Sequence, residues 1–281
     1  MESLVTTEWL ADALAAPDLL LLDASYTSTL PGSPTRDPRA EYEAAHIPGA
    51  RFLDLDTLVD TASPLPSMLP TRDAFAARMR ELGVTADTRI VLYDGGPHHT
   101  SCRAWWVLRM FGVDASLLDG GIDKWRAEQR AMQSGFTPVS VSDFTPGPAR
   151  GQVRTLAEMR ANLESGAEQV ADARSAARFT GDEPDPRPSC GSGHIPGARN
   201  IPYGLFFEAD GTWKQPDEIA RIFADAGIDP AKPLAATCGS GITAAVIVFA
   251  AHLLGHDAAL YDGSWSEWGA DPSAPKAMGP A

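Results

Sequence analysis

Short, wholly apolar runs alternate along this chain with longer stretches of helical periodicity, and glycines punctuate them. Leu19-Leu-Leu-Leu-Asp-Ala24, Ile90-Val-Leu-Tyr93, the start of Ser116-Leu-Leu-Asp119 and Leu234-Ala-Ala-Thr237 read as buried strands. Helices are predicted after Thr6 or Thr7 as N-cap, over Glu41–Ala45, over Thr71–Leu82 ending at Gly83, over Ala104–Phe111 before Gly112, and over Thr243–Leu254 closed by Gly255. A polar, Pro-rich loop runs from Ala24 to Arg39. Strands alternating with helices in this way predict an α/β fold, with helices flanking a mainly parallel central sheet.

The second half of the pattern repeats the first. His194-Ile-Pro-Gly-Ala198 copies His46-Ile-Pro-Gly-Ala50, and Val170-Ala-Asp172 copies Leu21-Leu-Asp23. Leu260-Tyr-Asp-Gly-Ser-Trp-Ser-Glu-Trp268 copies Leu117-Leu-Asp-Gly-Gly-Ile-Asp-Lys-Trp125, at a nearly constant offset. Two tandem domains of one fold follow: residues 1–135, a linker over 136–151 rich in Pro, Gly, Ser and Thr, and residues 152–281.

Composition changes this picture little. A chain of 281 residues with 44% hydrophobic and 21% charged residues can bury a core in each of two domains. A net charge of −14 speaks against nucleic acid or an anionic membrane as partner. The first ten residues carry an early acid and no basic run, so they do not read as a signal peptide. The most apolar stretch, Ala244–Leu254, is too short to span a bilayer. Cys102, Cys190 and Cys238 are odd in number and far apart, forming neither a disulfide framework nor a Cys-x-x-Cys site. A reducing, cytoplasmic setting is expected.

The candidate chemistry centres on Cys238, between the strand Leu234–Thr237 and the helix from Thr243. Gly239, Ser240 and Gly241 let a tight loop turn its N–H groups inward, and the positive end of a helix dipole adds to them. Both features stabilise a thiolate and make a nucleophile. The alternative is a buried structural cysteine, the usual fate of a free thiol. In the repeat, Asp94 falls where Cys238 stands, and Gly95–His99 lies opposite Gly239–Thr243. A carboxylate does not do a thiolate's chemistry, so the first domain is expected to be silent and the second to work. His46, His194, Asp23 and Asp172 occur in both copies, the silent one included, and therefore read as structural. Cys102, in an apolar helix, reads as core.

Two copies of a domain with His-Ile-Pro-Gly-Ala, an Asp-Gly turn before Trp, and a cysteine loop only in the second copy resemble the tandem rhodanese-type sulfurtransferases. The resemblance covers nearly the whole chain. It implies an α/β fold of two rhodanese-like domains and transfer of a sulfane sulfur through a cysteine persulfide, with no metal or organic cofactor. The loop Cys238-Gly-Ser-Gly-Ile-Thr243 carries no charge and looks like that of the 3-mercaptopyruvate branch, whereas thiosulfate enzymes carry basic residues there. In that branch Gly239, Gly241, Ile242 and Thr243 would line the substrate and supply amides. Arg178 and Arg187 match its two substrate arginines in context and spacing, and arginine suits a planar carboxylate. Ser240 and Asp56 match two members of its proton-handling group. The third, a histidine in His-Met-Leu-Pro, is replaced here by Ser67 in Pro66-Ser-Met-Leu-Pro70, and His98 or His99 is a candidate substitute.

The resemblance thus implies a 3-mercaptopyruvate sulfurtransferase activity, with a thioredoxin, a small thiol or cyanide as acceptor. A thiosulfate sulfurtransferase is the nearest alternative, since thiosulfate brings no proton on its sulfur. A non-catalytic sulfur-binding module is another. A cysteine phosphatase would need an arginine shortly after the cysteine, where Ile242, Thr243, Ala244 and Ala245 stand.

Overall fold

The computed structural model of the chain describes residues 1–27 and 35–280. Most of the Pro-rich loop lies outside them. The first half contains strands β1 (Leu4–Val5), β2 (Leu19–Asp23), β3 (Arg51–Phe52), β4 (Arg89–Tyr93) and β5 (Ala115–Leu118). Its helices are α1 (Thr7–Ala13), α2 (Pro38–Ala44), α3 (Arg72–Glu81), α4 (Ser101–Met110) and α5 (Gly121–Ala127). The second half contains β6 (Gln152–Arg154), β7 (Gln169–Asp172), β8 (Arg199–Asn200), β9 (Leu234–Thr237) and β10 (Ala259–Tyr261). Its helices are α6 (Leu156–Ser165), α7 (Ala176–Thr180), α8 (Pro216–Asp225), α9 (Ala244–Leu253) and α10 (Ser264–Trp268).

The two sheets have the same strand order, β1-β5-β4-β2-β3 and β6-β10-β9-β7-β8, and their pairs are parallel. This is the repeat in three dimensions. A parallel sheet covered by helices on both faces demands strands that are apolar throughout, and β2, β4 and β9 are buried almost end to end.

The repeated polar residues are structural, as the repeat predicts. Asp23 ends β2 and accepts the Ser25 N–H at 2.9 Å; Asp172 ends β7 and accepts the Arg174 N–H at 3.0 Å. His46 stacks on Tyr42 and His194 on Phe179, and each imidazole Nδ1 bonds a backbone carbonyl, at 2.7 and 2.9 Å. Thr6, not Thr7, caps α1 by accepting the Trp9 N–H, while Thr7 gives its hydroxyl to Glu128.

One helix starts earlier than its apolar run predicts. α4 begins at Ser101 rather than Ala104, because the Asp94 carboxylate reaches back and accepts the Ser101 N–H at 2.6 Å. An N-cap supplied from the end of a strand is invisible to a local reading. The cap positions Thr100 and Thr243 have matching backbone angles, so the first loop is one residue longer than the second. His98 and His99 are therefore not in simple register with Ile242 and Thr243.

The two halves share one continuous apolar cluster. α9 is buried from Ala244 to Ala251 and packs on α4, with Trp105 edge-on to Phe249 at 4.8 Å. Each Asp-Gly turn also reaches into the other half. Asp119 accepts the Trp213 N–H at 2.8 Å, and Asp262 accepts the Leu69 N–H at 2.7 Å. Residues 136–151 lie along the first half, bonded at Ser142 to Arg80, at Phe144 to Arg80 and at Gly147 to Phe111. Among the described residues, no helix is long and apolar enough to cross a membrane.

Candidate active site

β9 delivers Cys238 to the carboxyl edge of its sheet, where α/β proteins place ligands, with only 2% of the residue exposed. The loop that follows has its carbonyls tied down from outside. The Trp265 N–H donates to the Cys238 carbonyl at 3.0 Å, and the Ser266 N–H and hydroxyl donate to the Gly239 carbonyl at 2.9 and 2.7 Å. Arg103 Nη1 donates to the Gly241 carbonyl at 3.3 Å, and Cys238 N–H donates to the Ser264 hydroxyl at 3.2 Å. The amides of Gly239, Ser240, Gly241, Ile242 and Thr243 have no acceptor among the described residues. Unpaired amides in one loop at a helix N-terminus form a cradle for negative charge.

The corresponding loop of the first half carries its own anion at the same helix end. Asp94 puts its carboxylate on the first amide of α4. Burial drives its pKa up to about 6, against the Ser101 hydrogen bonds that lower it.

Ser264 stands out by its backbone. It adopts φ +49, where its counterpart in the first half is Gly121 at φ +55. A side chain is uncommon in that conformation, and here its hydroxyl bridges the Tyr261 carbonyl and the Cys238 amide. The sequence held this signal: Ser264 and Ser266 stand where the first copy has Gly121 and Asp123.

Arg178 and Arg187 converge on the loop. A Cβ at Gly239 would lie 3.2 Å from Arg187 Nη2 and 3.4 Å from Arg178 Nη2, so both guanidiniums come to within close contact distance of the residue after the cysteine. Asp185, whose side chain is 1% exposed, holds both: Arg178 Nη2 donates to it at 2.5 Å and Arg187 Nη1 at 3.1 Å. Burial raises the Asp185 pKa, but the Arg187 N–H and the two guanidiniums outweigh it and hold the carboxyl below its ordinary value. Arg178 Nε is buried without an acceptor, a donor left over at the site. Sequence reasoning missed Asp185 although it lies inside Glu183-Pro-Asp-Pro-Arg187.

The residues expected to handle the proton are less tightly assembled. Ser240 and Thr243 are half-buried and Ile242 is buried, but Ser240 and Asp56 share no hydrogen bond among the described residues. Asp56 is exposed; partial burial and the Asp54 charge raise its pKa. Tyr26, also missed, stands between the halves: burial and then the Asp56 charge raise its pKa, while Arg187 lowers it. Ser67 does sit at the loop, because the guanidinium that holds the Gly241 carbonyl also holds the Ser67 carbonyl.

His98 and His99 differ. His98 Nδ1 bonds the Tyr203 hydroxyl at 3.2 Å, and the Tyr203 pKa is raised by burial and then by Cys238. His99 lies flat on Phe207 with ring centroids 3.4 Å apart, and burial pushes its pKa down to about 4. Cys102 is fully buried, its pKa raised by that burial. Cys190 is half-buried, with its thiol 3.6 Å from the Trp265 carbonyl and its pKa raised by burial. All three cysteines are free.

Known proteins match this arrangement over almost the whole chain. A family profile for the rhodanese-like domain matches residues 6–128 and again 155–271. The chain is 42% identical to 3-mercaptopyruvate sulfurtransferase of Rattus norvegicus, over 95% of this chain and 91% of that protein. It is 39% identical to the 3-mercaptopyruvate sulfurtransferase of Escherichia coli K12, over 96% of both, and 40% identical to the thiosulfate sulfurtransferase of Cricetulus griseus. The crystal structure of SseA from Escherichia coli superimposes with a TM-score of 0.84 at 37% identity, covering 95% of this chain and all of that one. Tum1 of Saccharomyces cerevisiae superimposes with a TM-score of 0.88 at 28% identity, covering 99% of each. With the domain matched twice and relatives of this identity along its length, the chain belongs to the rhodanese-like family, as a tandem two-domain sulfurtransferase.

Proposed function

We propose that this protein moves a sulfane sulfur from 3-mercaptopyruvate, through a persulfide on Cys238, to a thiol or cyanide acceptor. The reading is carried by Arg178 and Arg187, held by one buried aspartate directly over Gly239 and beside an uncharged cysteine loop. Two guanidiniums suit the donor's α-keto carboxylate. The relatives named for this donor support it.

The Cys238 thiolate attacks the donor sulfur while the arginines hold the carboxylate. The S–S bond forms, the carbon–sulfur bond breaks, and the electron pair goes to the donor's methylene carbon as the enolate of pyruvate. The proton that arrived on the donor thiol ends on that carbon, so no net proton is released when pyruvate leaves. Ser240, two residues after the cysteine, is the relay, with Asp56 as its acidic partner in the first domain. The amides of Gly239, Gly241, Ile242 and Thr243 take up the charge on the persulfide. A thiolate acceptor then takes the outer sulfur and restores Cys238. The domain assignment 1–135, 136–151 and 152–281 goes with this scheme, the first domain shaping the site without reacting. Free cysteines fit work in a reducing cytosol, with a thioredoxin or small thiol as acceptor.

A second reading, thiosulfate as donor, is favoured by Ser67 in place of a histidine and by the relative named for thiosulfate. A donor panel with purified protein separates the two: pyruvate release from mercaptopyruvate well above sulfite release from thiosulfate supports the first, and the reverse ratio overturns it.

A further inference from the structure

Arg103 belongs to the silent domain, on the first turn of α4, and its counterpart on α9 is Val246. Its side chain is 3% exposed and pairs with Asp262, 2% exposed, at 2.7 Å. The guanidinium lies 4.6 Å over the Trp106 ring and also holds the carbonyls of Ser67 and Gly241. Asp262 takes the Leu69 N–H with its other oxygen. A buried ion pair is weak as a source of stability, because desolvation offsets most of the attraction. What this pair does to the loop is more specific.

In a trans peptide the C=O and N–H point in opposite directions. Anchoring a carbonyl outward therefore aims the next residue's N–H inward. Trp265 does this for the Gly239 amide and Ser266 for the Ser240 amide, both from α10 of the same domain. The Gly241 carbonyl has neither; it has Arg103. Gly241 sits at φ +79 pressed against the pair, since a Cβ there would come 2.9 Å from the Asp262 carbonyl and 3.1 Å from Arg103 Nη1.

Resting on the function proposed above, we infer that Arg103, held by Asp262, is a positioning residue that turns the Ile242 N–H toward the Cys238 sulfur. The domain that has lost its nucleophile completes the anion cradle of the one that keeps it.

The test uses the full chain with Arg103→Met/Asp262→Asn, which removes both charges together and keeps an acceptor for Leu69. Arg103→Lys accompanies it: the ammonium still pairs with Asp262, but a single point charge replaces the flat fork that serves three acceptors. Four quantities are read: thermal midpoint, the rate of Cys238 alkylation by iodoacetamide at neutral pH, followed on the Cys238 peptide by mass spectrometry, and kcat and KM for the donor. Losing a single oxyanion donor costs ~10²–10³ in other enzymes, and with the remaining amides in place a fall of about tenfold or more in alkylation and kcat is expected. KM should change little, because Arg178 and Arg187 hold the donor. Unchanged alkylation and kcat in a folded variant would make the pair a mere staple between domains and overturn the inference. If the double variant does not fold, the same readouts on Arg103→Lys decide. Alkylation needs no sulfur donor, so a wrong donor assignment would show in the donor panel and leave this result standing.

Discussion

His98 of the first domain meets Tyr203 of the second, imidazole Nδ1 to phenol oxygen at 3.2 Å. Tyr203 is anchored by its N–H on the Ala173 carbonyl, and Ala173 is bonded in turn to Thr237, the residue before Cys238. Burial, and then the Arg36 charge, lower the His98 pKa, against an opposing pull from Asp94. The lowered pKa favours the uncharged imidazole, whose two ring nitrogens are one donor and one acceptor. His99, stacked on Phe207, has no such partner in the site.

This contact sets the expectation for the missing histidine. His98→Ala and Tyr203→Phe should each slow turnover of mercaptopyruvate by about a hundredfold, the low end of the ~10²–10⁴ range for acid–base help, and leave thiosulfate turnover nearly unchanged. Ser67→His should add little to the parent and restore most of the loss in His98→Ala. Steady-state rates with both donors check this. Equal losses with both donors would mean that the contact serves packing, not proton transfer.

Cys238→Ser should abolish sulfur transfer from every donor while the thermal midpoint stays near that of the parent, because an alcohol is neither acidic nor nucleophilic enough. Mass spectrometry after donor treatment should find one added sulfur on the parent's Cys238 peptide and none in the variant. Activity surviving the substitution would move the chemistry to Cys190 or Cys102.

Arg178→Ala and Arg187→Ala should each lower kcat/KM for mercaptopyruvate by ~2–5 kcal/mol of transition-state binding, the range for truncating one member of a desolvated charge pair. Asp185→Asn keeps both arginines but loosens their aim, and should cost less, ~1.5–3 kcal/mol. Asp185 holds its proton less tightly in the fold, so its stabilising contribution is present at neutral pH and is lost as pH falls below the ordinary carboxylate range. Denaturant titrations of parent and Asp185→Asn should therefore converge in acid.

Asp94 predicts the opposite trend. Its pKa in the fold is about 6, above the carboxylate's ordinary value of 3.8. The folded state thus binds a proton that the unfolded state has released between those values, and stability attributable to Asp94 falls as pH rises through about 6. Asp94→Asn can still accept the Ser101 N–H without a charge. It should raise stability at pH 7 by about 1–3 kcal/mol and change it little near pH 3.5. A variant less stable than the parent at pH 7 would show that α4 needs the full negative charge at its N-terminus.

The sequence by itself determined the architecture. Strands buried on both faces must be apolar throughout, and a repeated His-Ile-Pro-Gly-Ala and Asp-Gly turn divide the chain in two, so sheet, repeat and the Cys238 loop were legible without coordinates. Asp94 in place of the cysteine set the two halves apart by simple alignment, and the sequence context of Arg178 and Arg187 singled out the two arginines that the fold places beside Gly239. What the tertiary structure decided concerns partners far apart in sequence. Asp94 capping α4, Asp185 gripping both arginines, His98 choosing Tyr203 while His99 stacks on Phe207, and Arg103 holding Gly241 all depend on which loop ends the packed sheets bring together. Periodicity reports which face of an element is buried, and local motifs report how the chain turns. Neither carries the direction of a peptide plane or the address of a buried guanidinium, because these are fixed only when α4 and α9 pack and the two domains close on each other.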